Sequence, residues 1–356
     1  MDRESFAAAH RPVPSLEIPA SQFATRRDKL HYPVPAQRSF FLPHPDTRSP
    51  REEWCDELLD ALALGVGDYF EKTGAFRSLG VAVSGGRDSM LTLLIAHRYA
   101  RKVRPENPGS LIQAFYMPTR YSSAQTRKAA ETICAELGVP LKVVPIEEAF
   151  ERELAAARQM LGEAKLTALT EQNAQARLRA LRMWNWSNSS GGLVLQTGNM
   201  SEKAVGYTTV GGDLMGGLAV IANVPKTVVI YLLDYLQEKT GLEGIRLAMA
   251  RPAGPELAPD QVGEEELMPF PILDACFYLF AGEKLLPAEV FSILADMFTE
   301  VPRDRLKGFV EKFTKLFLQS IFKWVQAPLS LHIGNLDLER ERALQLPVVT
   351  RADWAI

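Results

Sequence analysis

The sequence has 356 residues, of which 47% are apolar and 23% are charged, which is typical of a globular protein with a sizeable core and excludes the disordered and fibrous classes. Its net charge of -3 excludes a globally basic surface of the kind that binds nucleic acid. It contains no apolar stretch of about 18 residues and no apolar signal core near its start, so we expect a cytoplasmic protein that does not interact with membranes.

Residues 1–50 contain eight prolines and little hydrophobic periodicity, which predicts an extended arm or linker without a catalytic role. We expect residues 51–356 to form the main domain. Between residues 52 and 73, apolar residues recur at helical spacing before a glycine, which predicts an amphipathic helix. Cys55 lies in this helix and is expected to be a buried small hydrophobe. The three cysteines are far apart and lack Cys-x-x-Cys spacing, which argues against disulfides or a zinc site.

Four short β-rich runs then alternate with helical stretches, at residues 79–83, 111–117, 141–146 and 193–196. This alternation predicts an α/β fold with a parallel sheet and right-handed crossovers. After the second run, Ser122 and Gln125 have capping-box spacing, and Gly138 can end the helix that they begin. A helix over residues 225–238 and a mostly helical region over 271–318 predict a helical carboxy-terminal extension.

The strongest functional signal directly follows the first β-rich run and precedes a helical run, and it reads Ser84-Gly85-Gly86-Arg87-Asp88-Ser89. Two glycines allow the backbone to approach an anion closely, the hydroxyls add donors, and a helix start supplies unpaired N–H groups. The alternative is a Gly-Gly turn that only joins a strand to a helix. We expect a pyrophosphate cradle, with ATP bound by Ser84, Gly85, Gly86, Asp88 and Ser89.

This run resembles the loop of the ATP pyrophosphatases, enzymes that cleave ATP between its α and β phosphates. Arg87 stands where those proteins more often carry an apolar or small residue, and its role is open. Further blocks occur in the order and spacing of the NAD synthetases within that family: residues 116–123 (YMPTRYSS), 171–179 (EQNAQARLR), 197–202 (TGNMSE), 206–213 (GYTTVGGD), 224–227 (VPKT), and 255–257 (PEL) with 273–275 (LDA). The resemblance covers residues 55–350.

The resemblance implies the adenine nucleotide alpha hydrolase-like fold, a parallel twisted sheet with helices on both faces. It implies a ligase that uses ATP and Mg²⁺ to adenylate deamido-NAD, after which ammonia displaces AMP and NAD forms. It also implies a homodimer. No protein nucleophile is required, so catalysis is expected to consist of positioning and charge neutralisation.

Asp88 and Glu202 follow different strands, and their carboxylates are expected to meet at one edge of the sheet and hold Mg²⁺. Taken singly, each is better explained as a helix-start carboxylate that interacts favourably with the helix dipole. Lys226 also lies near a helix start, where the dipole opposes a cation, so a bound anion is expected beside it. We expect the catalytic residues to be Asp88, Glu202, Asp213 and Lys226. We also expect Thr197 and Lys226 to bind ATP.

On the deamido-NAD side, the resemblance implies contacts from Asn173, Arg177, Tyr207, Thr208, Asp213 and Lys323. Asn173 and Arg177 are four residues apart and share a helix face, whereas Arg179 is expected to point elsewhere. A solvated helix face and a turn-forming Asp213 are the alternatives. Trp184 and Trp186 are interpreted as packing residues rather than as a ligand stack.

The sequence departs from the family at two places. Many NAD synthetases have an amino-terminal glutaminase domain, whereas about 50 proline-rich residues precede the core here, so ammonia is expected to be free or to come from a separate glutaminase chain. Residues 323–328 (KWVQAP) retain one basic residue, Lys323, of a cluster that is usually more basic. Another adenylating amidotransferase and a catalytically impaired nucleotide-binding subunit therefore remain as alternatives. An RNA-modifying relative would call for a basic surface or zinc-binding cysteines.

Overall fold

The computed structural model describes residues 35, 37–42, 51–162, 165–250, 254, 256–258, 263–339 and 343–347, all of which belong to one compact unit, residues 34–356. Most of the predicted arm, residues 1–50, lies outside these described residues, as does Pro255. The boundary that we predict at residue 50 therefore stays a prediction.

A five-stranded sheet with the order β3-β2-β1-β4-β5 organises the fold, and every neighbouring pair is parallel. Its strands are β1 (Ser78–Ala82), β2 (Ile112–Tyr116), β3 (Leu141–Val143), β4 (Gly192–Gln196) and β5 (Leu218–Ala219). At the centre, Val81 pairs with Ala114 of β2 and with Leu195 of β4. The chain runs outward from β1 to β3 and then returns to β4, and such a reversal opens a crevice at the carboxyl ends of the flanking strands. The predicted parallel α/β fold is confirmed, and the two-residue β5 was not predicted.

Twelve α-helices are described: α1 (Arg51–Thr73), α2 (Arg87–Val103), α3 (Ala124–Glu136), α4 (Glu147–Leu161), α5 (Ala168–Ser190), α6 (Met200–Ala204), α7 (Lys226–Thr240), α8 (Glu243–Met249), α9 (Gly263–Glu266), α10 (Phe270–Phe277), α11 (Pro287–Met297) and α12 (Arg303–Trp324). A 3-10 turn (Pro108–Leu111) and a π-helical turn (Tyr278–Gly282) complete the helical structure of the described residues. The predicted helix near residues 52–73, the helix that begins after Pro225 and the helical carboxy-terminal part are confirmed. Within the described ranges, no helix combines the length and apolarity that a membrane crossing requires.

The start of α3 differs by one residue from the prediction. Ser123 is the capping residue, and its hydroxyl accepts a hydrogen bond from the Thr126 amide at 3.2 Å. The hydroxyl of Ser122 instead accepts from the Thr119 amide at 3.1 Å and closes the preceding turn. Two adjacent serines offer the same capping chemistry, and the turn geometry decides which of them caps the helix.

Apolar residues cover both faces of the sheet. Leu79 and Val81 point into the main core, which also contains residues of α1, α2 and α7. On the opposite face, the Trp186 ring of α5 packs against the sheet at Gly80, where an added Cβ would lie 2.0 Å from the ring. Phe115 makes an edge contact with the same ring at a centroid distance of 5.3 Å. Helices therefore cover both faces, and the packing role predicted for Trp186 is confirmed.

Candidate active site

The loop between β1 and α2 forms the floor of a pocket at the carboxyl ends of β1 and β4. Gly85 has a φ of +80°, and an added Cβ would lie 2.1 Å from the Thr126 carbonyl oxygen, so this position requires glycine. The Ser89 hydroxyl accepts from the Ser84 amide at 3.1 Å and donates to the Gly86 carbonyl at 3.1 Å, which fixes the loop. Gly86 is the N-cap residue of α2, and it has no side chain that could accept a hydrogen bond from the first amides of the helix. These amides are therefore suited to bind an anion.

A buried cation bridges two acids beside this loop. The Lys226 ammonium forms ion pairs with Asp88 and, at 3.2 Å, with Glu202. The Lys226 side chain is 3% exposed, whereas both acidic side chains are 21% exposed and line the pocket. The Asn199 side chain donates to Asp88 at 3.0 Å and accepts from the Glu202 amide at 3.0 Å. The structure thus brings together the three residues that the sequence suggests for metal and phosphate binding.

Burial and charge set the protonation of this cluster. Burial, partly offset by the Lys226 ammonium and reinforced by the Asp88 carboxylate, raises the pKa of Glu202 to about 7. Burial alone would lower the pKa of Lys226, but the two neighbouring carboxylates outweigh it and raise that pKa. Lys226 is therefore charged at neutral pH, and the ordering of the cluster depends on its ammonium.

The donor set of Asp88 and Glu202 fits Mg²⁺, because carboxylate oxygens are preferred ligands of this ion. In phosphate-binding sites, Mg²⁺ commonly takes one or two protein carboxylates and fills its other positions with phosphate and water oxygens. The described residues contain no cluster of three or more His, Cys, Asp or Glu side chains suited to a metal. These two acids are thus suited to a cation that arrives with phosphate, and Lys226 holds them together.

A glycine-rich loop, residues 206–213, forms one wall of the pocket. The Asp213 carboxylate accepts from the Thr209 amide at 2.6 Å, and the Lys323 ammonium donates to the carbonyls of Gly206 and Thr208 at 2.6 and 2.7 Å. Tyr207 lines the pocket and hydrogen-bonds to Glu266. In this structure Asp213 has the turn-forming role that we considered as the alternative, and it also lines the pocket.

Asn173 and Arg177 of α5 contact the same loop. The Thr209 hydroxyl donates to the Asn173 side-chain oxygen at 2.8 Å, and the Arg177 guanidinium donates to the Val210 carbonyl at 3.1 Å. The two residues share a face, as predicted. Their contacts with a substrate stay a prediction.

Two buried polar atoms near this loop have no hydrogen-bond partner in the described part of the chain: the Thr208 hydroxyl and the side-chain carbonyl of Gln196. Gln196 lies at the end of β4 and lines the pocket beside Thr197. Its amide nitrogen donates to the Asp213 carbonyl at 2.9 Å, which fixes the orientation of the side chain. Buried polar atoms are rarely left unpaired, so these two are candidates for ligand contacts.

Two residues of α5 that the sequence analysis left out of the site line the pocket. Arg179 faces away from the Asn173 and Arg177 side of the helix, as expected, and this other side meets the pocket, as does Trp184. The Arg179 guanidinium donates to the Met117 carbonyl at 3.0 Å, and burial lowers its pKa to about 10, which leaves it charged at neutral pH. Only the position of α5 across the sheet reveals which of its faces meets the pocket.

Arg87 and Glu256 join the loop after α8 to the pocket. The Arg87 guanidinium donates to the Met249 carbonyl at the end of α8 at 3.2 Å. The Glu256 carboxylate accepts from the Ser123 amide at 3.2 Å and from the Thr126 hydroxyl at 2.8 Å, at the start of α3. Both residues line the pocket, and the sequence assigned a role to neither of them.

A family model described as NAD synthase matches residues 58–307. The chain is 32% identical to the glutamine-dependent NAD(+) synthetase of Thermotoga maritima over 301 residues, which cover 83% of this chain and 48% of that protein. It is 37% identical to the glutamine-dependent NAD(+) synthetase of Xanthomonas campestris over 235 residues, which cover 64% and 41% of the two chains.

Among solved structures, the crystal structure of a glutamine-dependent NAD(+) synthetase from Cytophaga hutchinsonii matches with a TM-score of 0.72 and 23% identity, over 83% of this chain and 54% of that chain. At this identity the match shows the fold alone. The chain spans about half the length of these three relatives. Given the family match over residues 58–307 and the shared fold, the chain belongs to the NAD synthetase family.

Proposed function

We propose that this chain catalyses the ATP-dependent amidation of deamido-NAD to NAD. In the first step, the nicotinate carboxylate attacks the α-phosphate of ATP, the bond between the α-phosphate and its bridging oxygen breaks, and pyrophosphate leaves. In the second step, ammonia attacks the acyl carbon, AMP leaves, and a proton is lost from nitrogen. The observation that carries this proposal is the Lys226 bridge between Asp88 and Glu202 beside the loop after β1.

Each of these residues has a physical role in that reaction. The amides at the start of α2 and the hydroxyl groups of the loop hold phosphate oxygens. Lys226 supplies a fixed positive charge where negative charge develops on the departing pyrophosphate. Asp88 and Glu202 would hold Mg²⁺, and Mg²⁺ when bound neutralises phosphate charge. Because no group of the protein bonds covalently to substrate, the contribution of the chain is orientation and charge stabilisation.

On the deamido-NAD side, we place the 206–213 loop together with Asn173 and Arg177 of α5. The unpaired Thr208 hydroxyl and Gln196 carbonyl support a ligand at this wall of the pocket. Ammonia is free or is delivered by a separate glutaminase, and the glutamine dependence of the matched relatives, of which the alignments cover 48% and 41%, supports glutamine as the original nitrogen source. The homodimer that the family resemblance implies belongs to this proposal and is tested by light scattering of the purified protein.

The test is to incubate the purified protein with ATP, Mg²⁺, deamido-NAD and ammonium and to measure pyrophosphate, AMP and NAD. We expect the three products in equal amounts. Pyrophosphate release that requires a different carboxylate would indicate another adenylating amidotransferase. No release with any carboxylate, together with intact ATP binding, would indicate a nucleotide-binding subunit without activity.

A further inference from the structure

Asp274 lies in α10, outside the pocket lining, and is fully buried. Its carboxylate accepts hydrogen bonds from the Thr227 amide at 2.9 Å, from the Thr227 hydroxyl at 2.7 Å and from the Ser201 hydroxyl. The Ser201 hydroxyl in turn accepts from the Lys226 amide at 2.7 Å. One buried carboxylate therefore fixes the first two residues of α7 and the second residue of α6.

These contacts act on the reactive cluster because of where they lie in the chain. Ser201 directly precedes Glu202, and Thr227 directly follows Lys226. The side chains of Lys226 and Glu202, which meet at the pocket, thus extend from backbone next to the two residues that Asp274 contacts. A negative charge at the start of α7 also offsets the unfavourable position of the Lys226 cation at the positive end of the helix dipole.

We propose that Asp274 is a positioning residue, which sets the backbone of Lys226 and Glu202 so that the ammonium meets both carboxylates at the phosphate site. This role rests on the proposed function, because it concerns the same reaction. A buried carboxylate carries a high desolvation cost unless several donors satisfy it, and here three donors do so. An apolar residue at position 274 would pack at lower cost but would leave the starts of α6 and α7 without a common anchor.

The segment at residues 37–42 closes this polar cluster from the other side. The buried Ser39 hydroxyl lies 3.2 Å from the Thr227 hydroxyl, which already donates to Asp274, so Ser39 acts as the donor. Phe40 stacks on Tyr278 at a centroid distance of 4.7 Å and anchors the segment just after α10. The Ser39 hydroxyl reaches this cluster through the Thr227 hydroxyl and not through Asp274 itself, so its loss should have the weaker effect.

The principal experiment compares Asp274→Asn with the parent in the synthesis assay. Asparagine keeps the size of the side chain but places an amide nitrogen where an acceptor is needed. We expect kcat to fall by about tenfold or more, while KM for ATP and for deamido-NAD stays within about twofold, because the lost alignment affects the transition state. Ser39→Ala is expected to lower kcat by less than about threefold. A rise in KM alone, with kcat unchanged, would overturn the proposal.

Asp56→Asn is a matched control, because Asp56 of α1 also contacts α7. The Asp56 carboxylate accepts from the Tyr235 hydroxyl of α7 and pairs with Lys239, more than two helical turns from Lys226. Both variants lose an acidic anchor of α7 and are expected to melt at lower temperature. Only Asp274→Asn should lower kcat. Equal losses of kcat in the two variants would show that Asp274 contributes stability alone.

A double-mutant cycle separates positioning from a general structural role. If Asp274 acts through Lys226, then Asp274→Asn should cost little further activity once Lys226→Met is present. Losses that multiply would contradict the proposal. If Asp274→Asn yields no folded protein, Ser201→Ala and Thr227→Val each remove one hydroxyl that donates to Asp274. The proposal then requires that both variants lower kcat and leave KM unchanged.

Failure of the proposed function is distinguishable from failure of this inference. A parent protein that forms no pyrophosphate with ATP and deamido-NAD would refute the function alone. The positioning role would then be decided by crystal structures of the parent and of Asp274→Asn. A Lys226 ammonium that leaves Glu202 in the variant supports the role, and an unchanged bridge between the two acids refutes it.

Discussion

The ammonium of Lys226 contacts the carboxylate of Asp88, although the two residues are 138 positions apart in the chain. Asp88 belongs to the first turn of α2, and Lys226 is the first residue of α7. Two helix starts thus converge on the same crevice at the carboxyl edge of the sheet, and an acid and a base satisfy each other there. An incoming phosphate would share this cation with the two acids.

Asp88→Asn and Glu202→Gln should each reduce pyrophosphate release by at least about 100-fold while the fold is retained. Each substitution removes a negative oxygen ligand that Mg²⁺ requires. Release is measured at saturating ATP with a coupled phosphate assay, and circular dichroism checks the fold. Glu153→Gln, on the exposed face of α4, is the control and should keep full activity. Normal turnover by either site variant would refute the metal assignment.

Lys226→Met should destabilise the protein by about 2–4 kcal/mol, because it leaves two neighbouring carboxylates in a largely buried site without their cation. The free energy of unfolding is measured by urea titration at neutral pH. Lys239→Met, at the opposite end of α7, removes two ion pairs, with Glu52 and Asp56, whose lysine is 41% exposed, and should cost at most about 1 kcal/mol. Similar costs for the two variants would indicate that burial does not strengthen the Lys226 contacts.

The raised pKa of Glu202 predicts a pH dependence of stability. The folded value of about 7 lies above the ordinary value of 4.5, so folding favours the neutral carboxyl form. This contribution is complete below the ordinary pKa and is lost as the pH rises through about 7. Glu202→Gln lacks it, so its stability relative to the parent should improve between about pH 5 and pH 8. Melting temperatures across this range, with Glu153→Gln as the control, provide the measurement, and a constant difference would contradict the pKa shift.

We expect ammonium, but not glutamine, to support NAD formation by this chain alone. Glutamine hydrolysis by a cysteine nucleophile requires an accessible thiolate. Cys55, Cys134 and Cys276 are buried, and burial raises the pKa of Cys55 to about 11 and of Cys134 to about 12. NAD is measured with each nitrogen source in turn, and glutamine freed of ammonium is essential. Synthesis with glutamine would reveal a glutaminase activity that the sequence interpretation missed.

Arg177→Ala and Asp213→Asn should have different kinetic effects. We propose that Arg177 contacts a phosphate or ribose of the dinucleotide, and its guanidinium also donates to the Val210 carbonyl. Arg177→Ala should therefore raise KM for deamido-NAD about tenfold and leave KM for ATP unchanged. This magnitude follows because a hydrogen bond to a charged group contributes about 1.5–3 kcal/mol. Asp213 lies in the pocket wall near the proposed reacting carboxylate, so Asp213→Asn should lower kcat at saturation of both substrates.

Arg182→Ala, at an exposed position of α5, is the control for both variants. If Arg177→Ala raised only the KM for ATP, the face of α5 with Asn173 and Arg177 would serve the other substrate. An Asp213→Asn variant with a normal kcat would leave Asp213 with only its turn-forming contact to Thr209.

The sequence alone determined the features that depend on neighbouring residues. Apolar periodicity located β1 to β4 and the helices α1 and α7, because the period of a strand or helix is a local property. The position of Gly85 between a strand and a helix indicated the phosphate loop, because a tight turn against a helix start has few sequence solutions. Asp88, Glu202 and Lys226 were identified by the resemblance of their sequence blocks to the NAD synthetases together with their places after strands and at helix starts. The two-residue β5 carries too little periodicity to be detected.

Only the tertiary structure decided which side chains meet. Arg177 and Arg179 are two residues apart, about 200° around a helix, so they face different neighbours, and the docking of α5 on the sheet decides that Arg179 and Trp184 line the pocket. In the same way, the contacts of Asp274 with Ser201 and Thr227 join three separate helices. Burial and long-range hydrogen bonding depend on how the elements pack, and local sequence patterns do not contain that information.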